Sequence, residues 1–192
     1  MNPTIDLKGE HDAMAIILAA MKKRAIDISK NNFVDLFRIG QIIDFLRTYN
    51  DHCHHEKEEK ILFPALLEFD IPWTSDSIKH LVKEHLLAHT YLNEIEDKLR
   101  EYITGNARTL DCLSSSMIKY ISLEENHIKI ENEVMLPLSQ KVLNKKTQET
   151  VSLNFKKIQD HHVGHPKNLE YYLLLSKLYS ETKVVYTTDF QF

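Results

Sequence analysis

Two segments of the chain repeat a histidine that is followed four residues later by a glutamate. One segment contains His54 and Glu58, and the other contains His127 and Glu131. In both segments an apolar pair follows, and a proline stands ten residues after the histidine. Residues four apart on a helix project from the same face, one turn apart. Each histidine–glutamate pair can therefore reach a single point on one side of its helix.

Each segment is also preceded by a Glu-His dipeptide at almost the same distance. His11 of Glu10-His11 lies 43 residues before His54, and His85 of Glu84-His85 lies 42 residues before His127. Chance would rarely reproduce both the dipeptide and the spacing. The repeat indicates two helical hairpins, each with one histidine on its first helix and a His–Glu pair on its second.

Four imidazoles and two carboxylates that converge between helices lose their hydration, which is unfavourable unless something compensates. Two metal ions do so, because carboxylates can bridge two cations while imidazoles cap each one. Mixed nitrogen and oxygen ligands suit iron, manganese or zinc. A carboxylate-bridged pair of metal ions inside a helical bundle is an established arrangement for iron. Six protein ligands would leave coordination positions for a small molecule.

The register of the first pair has an alternative, because His55 and Glu59 have the same spacing as His54 and Glu58. The proline ten residues after the histidine, matched in both halves, favours His54 and Glu58. We therefore expect three further histidines to be peripheral, namely His52, His55 and His80.

Three more residues are candidates for additional ligands or for hydrogen-bond partners of ligands. His89 lies four residues after His85 and shares its helix face. Asp51 and Glu124 each stand three residues before the histidine of a His–Glu pair. Each could accept a hydrogen bond from a ligand imidazole and fix its tautomer, or bind metal itself.

The elements that position these residues follow from apolar spacing, which is helical nearly throughout. A first helix contains Leu7 to Ile28, and others cover roughly 33–67, 77–104 and 107–143. Ser75 or Asp76 is the expected N-cap of the third helix, and Gly105-Asn106 its stop. The expected inward stripes are Leu7, Met14, Leu18, Met21, Ala25 and Ile28; Ile39, Ile43, Leu46 and Ile61; Ala88, Leu92, Ile95, Leu99 and Tyr102; and Leu110, Leu113, Met117, Tyr120, Val134 and Leu138.

The predicted fold is all-α: an up-and-down antiparallel four-helix bundle of two repeated hairpins, with extra C-terminal helices. Residues 1–144 are expected to form the bundle. Residues 145–182 are expected to form a helical extension that packs on it, divided near Gly164-His165-Pro166. Residues 183–192 have no convincing pattern and are read as a tail.

Composition limits the class of protein. The chain has 192 residues, a formal net charge of −4 and no clustered basic stripe, so a nucleic-acid partner is not expected. The N-terminus lacks the apolar region of a secretory signal, and no apolar run approaches the ~18 residues that span a bilayer. Two cysteines make no disulfide framework. We therefore expect a cytoplasmic protein without a membrane partner.

The residues from Cys53 to Leu66 and from His127 to Pro137, with the two Glu-His dipeptides, resemble the hemerythrin-like family, also called the HHE cation-binding domain. The resemblance covers at least residues 10–138. From Phe155 onward the chain is similar to a bacterial and archaeal subgroup that has a C-terminal helical extension. Gln159 stands where that subgroup often has glutamate.

The resemblance implies a non-haem di-iron centre with glutamates 58 and 131 bridging the two ions. By resemblance, the metal ligands are His11, His54, Glu58, His85, His127 and Glu131. Oxygen-carrying hemerythrins have a second histidine on the helix that holds His85, which makes His89 a candidate for a further ligand. Zinc and manganese are the alternatives to iron.

The function that the resemblance implies is the binding of a small ligand, dioxygen or nitric oxide, for sensing, carriage or sequestration. One alternative is a di-iron enzyme that acts on peroxide or nitric oxide, and another is an iron or metal reservoir. Additional ligands such as His89 would saturate the metals and favour binding. The sequence leaves the choice between enzyme and binding protein, and the oligomeric state, open.

Overall fold

The computed structural model describes residues 2–182, so the predicted tail at 183–192 lies outside the described residues. Over this range the chain forms six helices and no strand. The helices are α1 (Pro3–Asn31), α2 (36–67), α3 (Thr74–Ile103), α4 (110–142), α5 (Lys145–His162) and α6 (His165–Thr182). The predicted all-α class, a helical bundle with extra C-terminal helices, is confirmed. The domain boundaries stay a prediction.

Helices α2 and α4 each contain a π-helical turn that begins at the glutamate of the His–Glu pair, and α2 contains a second, longer π-helical stretch before it. In α2 the successive segments are Leu36–Phe45, the π-helical Leu46–His54, the α-helical His55–Lys57, the π-helical Glu58–Leu62 and the α-helical Phe63–Leu67. A 3₁₀ turn at Ala107–Thr109 precedes α4, which consists of the α-helical Leu110–Ile130, the π-helical Glu131–Met135 and the α-helical Leu136–Val142. Such wide turns occur frequently at functional sites.

The repeated prolines account for the two short π-helical turns. Pro64 and Pro137 lack an N–H, and a proline ring inside an α-helix clashes with the carbonyl four residues earlier. Those carbonyls belong to Lys60 and Glu133, which lie within the π-helical turns. A wider turn with bonds between residues five apart, such as Phe63 N–H to the Glu58 carbonyl, relieves that clash.

The wide turns also shift the inward stripe by one residue. Ile61 and Val134 were expected to face the core, but Val134 is exposed and Ile61 is only partly buried. Leu62 and Met135, one residue further along, are buried instead. A spacing rule based on 3.6 residues per turn fails here because each π-helical turn contains an extra residue.

Local capping explains where the helices start and stop. Asn2 accepts a hydrogen bond from Thr4 N–H at 3.0 Å, and Gly105 adopts a left-handed φ of 102° at the predicted stop after α3. The expected N-cap at Ser75 or Asp76 is wrong, since α3 begins at Thr74. A backbone bond from Thr74 N–H to the Ile71 carbonyl at 3.0 Å forms the turn that starts this helix.

Within residues 2–182, the apolar core consists of two clusters with a polar layer between them. On α1, Leu7 belongs to one cluster and Met14 to the other, and the buried His11 lies between them. On α3, His85 has the same place between Leu81 and Ala88. His11 and His85 therefore lie between two apolar clusters that exclude water.

Helices α5 and α6 pack on α1 and α2, the first hairpin. Phe155 of α5 joins the cluster that contains Leu7, and Tyr171 of α6 joins the other. Near the end of α6, Glu181 forms ion pairs with Arg24 at 3.3 Å and Arg38 at 3.0 Å. Among the described residues, none of the helices combines the length and hydropathy needed to cross a bilayer.

Candidate metal centre

Four buried imidazoles meet in the polar layer as two facing pairs. The Nε2 atoms of His11 and His54 are 3.3 Å apart, and those of His85 and His127 are 3.1 Å apart. We call His11 and His54 the first half-site, and His85 and His127 the second half-site. Each half-site takes one histidine from each helix of one hairpin, as the sequence repeat predicts.

Two glutamates lie between the half-sites and direct one oxygen to each. Glu131 places Oε2 at 3.2 Å from His11 Nε2 and Oε1 at 3.2 Å from His127 Nε2. Glu58 places Oε1 at 3.7 Å from His54 Nε2 and Oε2 at 3.4 Å from His85 Nε2. This is the arrangement of carboxylates that bridge two cations.

Three of these carboxylate oxygens are buried with no hydrogen-bond partner among the described residues. They are Oε2 of Glu58 and both oxygens of Glu131. A buried polar group left without a partner costs about 1–3 kcal/mol, and a charged group costs more. A cation placed between the half-sites would compensate these oxygens.

The outer nitrogen of each imidazole has a hydrogen-bond acceptor, which fixes its tautomer. The four Nδ1 contacts are His11 to Asn132 Oδ1 at 3.0 Å, His54 to Glu10 Oε2 at 2.7 Å, His85 to Glu59 Oε1 at 2.6 Å and His127 to Glu84 Oε2 at 2.9 Å. With a proton on each Nδ1, the Nε2 lone pairs face the interior. Metal-ligating histidines are oriented in this way.

The distances fit two metal ions. Ligands at about 2.1 Å from one ion and at right angles to each other are about 3.0 Å apart. The two imidazole pairs, at 3.3 and 3.1 Å, approach this value. Among the described residues, three overlapping groups could each hold an ion: His11 and His54 with both glutamates, His85 and His127 with the same glutamates, and His55 with His85 and His127. The assignment of the six residues as ligands stays a prediction.

The electrostatics of the cluster favour positive charge at its centre. Burial lowers the pKa of His85, but the Glu58 and Glu59 carboxylates outweigh it and raise that pKa to about 9. Burial raises the pKa of Glu131, but His127 and His11 outweigh it and hold the pKa well below its usual range. Without an ion the carboxylates thus favour protonated imidazoles, and a cation bound to the neutral imidazoles would be stabilised by the same negative charge.

His55 is buried and is not peripheral, which corrects the sequence prediction. Its ring stacks on that of His85, with the centroids 3.8 Å apart and the planes 11° apart. An imidazole lone pair lies in the ring plane, so two parallel stacked rings cannot both point at one ion. His55 therefore supports the His85 ring. It faces inward beside His54 because the wide turns of α2 rotate successive residues by less than an α-helix does.

His89 is exposed and contacts Asn93 at 3.2 Å rather than the cluster. Helix α3 is regularly α-helical, and its buried line passes through His85, Ala88 and Leu92. A step of four residues on such a helix rotates His89 past that line. The geometry thus argues against His89 as an additional ligand.

Asp51 and Glu124 lie near the cluster but outside the groups that could hold an ion among the described residues. Asp51 forms an ion pair with Arg47 at 3.1 Å and lies 3.8 Å from His55 Nδ1. Glu124 is buried and its Oε2 accepts a hydrogen bond from Asn50 at 3.2 Å. Burial raises the pKa of Glu124.

The hydrogen-bond acceptors of the four imidazole Nδ1 atoms were not predicted from the sequence. Glu10 and Glu84 were visible in the repeated Glu-His dipeptides, although no role followed from them. Nothing in the sequence indicated Lys57, whose buried Nζ bonds to Glu10 and to Gln159 Oε1, the latter at 2.6 Å. Gln159 comes from α5, so this contact joins distant parts of the chain.

Comparison with known proteins agrees with this geometry. A family model described as the hemerythrin HHE cation binding domain matches residues 2–139. That range includes all six residues of the cluster and ends before α5. No curated protein and no solved structure matched the chain.

Proposed function

Because the chain belongs to the hemerythrin HHE cation-binding family, we propose that its buried cluster holds two non-haem iron ions that bind a small ligand. The ligand is dioxygen or nitric oxide, and the role is sensing, carriage or sequestration. The observation that carries the proposal is that three buried carboxylate oxygens of Glu58 and Glu131 have no hydrogen-bond partner among the described residues. They lie 3.2 to 3.4 Å from the Nε2 atoms of His11, His127 and His85.

Each half-site would hold one ion through its two imidazoles, and the two glutamates would be shared. An iron pair supplies a redox-active centre with coordination positions open to a diatomic ligand. The protein itself does three things there. The outer acceptors orient the imidazoles, the two apolar clusters exclude water, and the ring of His55 holds the ring of His85 in place.

Metal analysis combined with optical spectroscopy tests the proposal. We expect two iron ions per chain and a visible charge-transfer band that appears reversibly when the anaerobically reduced protein meets dioxygen or nitric oxide. His54→Ala combined with His127→Ala should abolish both ions, whereas the control His89→Ala, on the exposed face of α3, should retain them. Absence of iron, or rapid irreversible oxidation without a band, would contradict the proposal.

A second candidate function is the reduction of nitric oxide or the decomposition of peroxide. The observation that favours it is Glu124, a buried carboxyl with a raised pKa, three residues from His127. Such a group can hold a proton at Oε1 or Oε2 for a general acid–base step. Many turnovers per centre, reduced in Glu124→Gln, would support an enzyme. A stoichiometric reaction would exclude it, and metal binding without any response to these molecules would leave a reservoir.

A further inference from the structure

The two half-sites have equivalent inner donors but different outer acceptors. In the chain repeat, Glu10 corresponds to Glu84, and both accept from the histidine of a His–Glu pair. Asn132 corresponds to Glu59, because each stands five residues after the histidine of its His–Glu pair. Asn132 accepts a hydrogen bond from His11 of the first half-site, and Glu59 accepts one from His85 of the second half-site. The first half-site therefore has one carboxylate and one amide, whereas the second has two carboxylates.

The carboxylate of the first half-site is neutralised by a buried lysine. Lys57 is 3% exposed and its Nζ forms an ion pair with Glu10. The residue at the corresponding place in the second repeat, three after the histidine, is Ile130. The outer partners of the first half-site thus carry no net charge.

In the described part of the chain, the carboxylates of the second half-site have no such partner. Among residues 2–182, neither Glu84 nor Glu59 forms an ion pair with a lysine or arginine. The other contact of Glu84 is His80, at 3.3 Å, whose side chain is largely exposed. The Glu84 side chain is 11% exposed and that of Glu59 is 39% exposed, so solvent screens Glu59 more and Glu84 contributes more.

From this difference we infer that the two half-sites bind cations unequally and that the second half-site, His85 and His127, fills first. The inference rests on the proposed function in that two cations occupy the cluster. An imidazole that donates to an uncompensated carboxylate is a more basic ligand, and the unneutralised charge also attracts the ion. Loss of such outer partners typically costs ten- to hundredfold in metal affinity, and we expect the half-sites to differ by about that factor.

Gln159 keeps the first half-site neutral. Its Oε1 accepts from Lys57 at 2.6 Å and from Cys53 Sγ at 3.0 Å, and its Nε2 donates to Asn168 at 3.1 Å. A neutral amide leaves the charge of Lys57 to Glu10, whereas a glutamate would share it. Helix α5 therefore takes part in setting the affinity of a centre that its own residues do not bind.

The test uses Co²⁺ as the probe, because this ion accepts imidazole and carboxylate ligands and does not require redox control. Metal-free protein is titrated by calorimetry, and crystals prepared with one equivalent are examined by anomalous diffraction at the cobalt edge. We expect two binding steps that differ about ten- to hundredfold. At one equivalent, the cobalt density should lie at the second half-site.

Matched variants separate charge from packing. Glu84→Gln should weaken the first step about ten- to hundredfold. Lys57→Met should strengthen the second step so that the two steps converge, while the control Lys60→Met, an exposed lysine on the same helix, should change neither. Gln159→Glu adds negative charge without removing Lys57 and should act in the same direction as Lys57→Met, which keeps the test decisive if that variant fails to fold.

The outcomes distinguish this inference from the proposed function. Two bound ions with equal occupancy at one equivalent, unchanged in Glu84→Gln and Gln159→Glu, would overturn the inequality and leave the two-cation centre standing. First occupancy at His11 and His54 would overturn it as well. Failure of the wild-type protein to bind two ions would overturn the proposed function itself.

Discussion

The first and second hairpins supply the same inner side chains but differ in what surrounds them. The first is covered by α5 and α6, and its outer carboxylate, Glu10, is paired with the buried Lys57. The half-site of the second hairpin is bordered by its own Glu84 and by Glu59 of α2, which are partly exposed and form no ion pair with lysine or arginine among the described residues. Duplication thus preserved the geometry of the donors, while divergence of their partners changed the charge and the exposure of each half-site.

The largest expected effect comes from removing a group that both half-sites share. Glu131→Ala removes a carboxylate that lies 3.2 Å from an imidazole of each half-site. We expect loss of both metal ions, measured as metal content of the purified protein. Glu133→Ala, an exposed glutamate on the same turn, is the control. Retention of one full equivalent in Glu131→Ala would show that the half-sites are independent.

Metal binding should stabilise the two hairpins to different extents. An ion that binds only the folded state contributes about 4 kcal/mol for each site at a free concentration 1,000 times its dissociation constant. Hydrogen exchange with and without metal should show the larger change in α3 and α4, because α5 and α6 already brace the first hairpin. A larger change in α1 and α2 would contradict the role given to the C-terminal helices.

The buried ion pair of the first hairpin should make its stability depend on pH. Burial alone would raise the pKa of Glu10, but Lys57 and His54 outweigh it and lower the pKa from 4.5 to about 2. The stabilisation is therefore complete above pH 4.5 and is lost as the pH falls toward 2, with a total on the order of 3 kcal/mol.

Denaturant unfolding of the metal-free protein across this pH range measures the effect. Glu10→Gln should remove most of the slope, whereas Glu84→Gln should remove less, because Glu84 has no lysine partner and its side chain reaches solvent. Equal loss of slope in the two variants would show that the carboxylates are equivalent, which would count against the charge difference between the half-sites.

The smallest expected effect concerns the attachment of α6. Glu181→Ala removes the ion pairs to Arg24 and Arg38, and we expect the free energy of unfolding to fall by about 1 kcal/mol. Glu149→Ala, at an exposed position of α5, should leave it unchanged. If Glu181→Ala also shifts cobalt binding at the first half-site, the C-terminal helices act on the centre from a distance. No shift would confine their influence to Gln159.

The fold and the convergence of the six inner residues could be predicted from the sequence, because the internal repeat and the four-residue spacing are visible in the sequence itself. It misplaced Val134 and His55 because the π-helical turns alter the number of residues per turn. It did not find Lys57, whose role depends on Gln159 from a helix about a hundred residues away. The spacing of apolar residues predicts regular helices, but it carries no information on contacts between distant segments or on departures from regular helix.

The polar layer divides the apolar interior along the length of the bundle, with Leu7 on one side and Met14 on the other. Among the described residues, the buried apolar side chains on the two sides of this layer therefore do not form one continuous core. A cation bound in this layer would link the four helices between the two apolar clusters. Without the ion, unfolding of the bundle on one side of this layer need not cause unfolding on the other side. Loss of metal should therefore reduce the cooperativity of unfolding as well as the melting temperature.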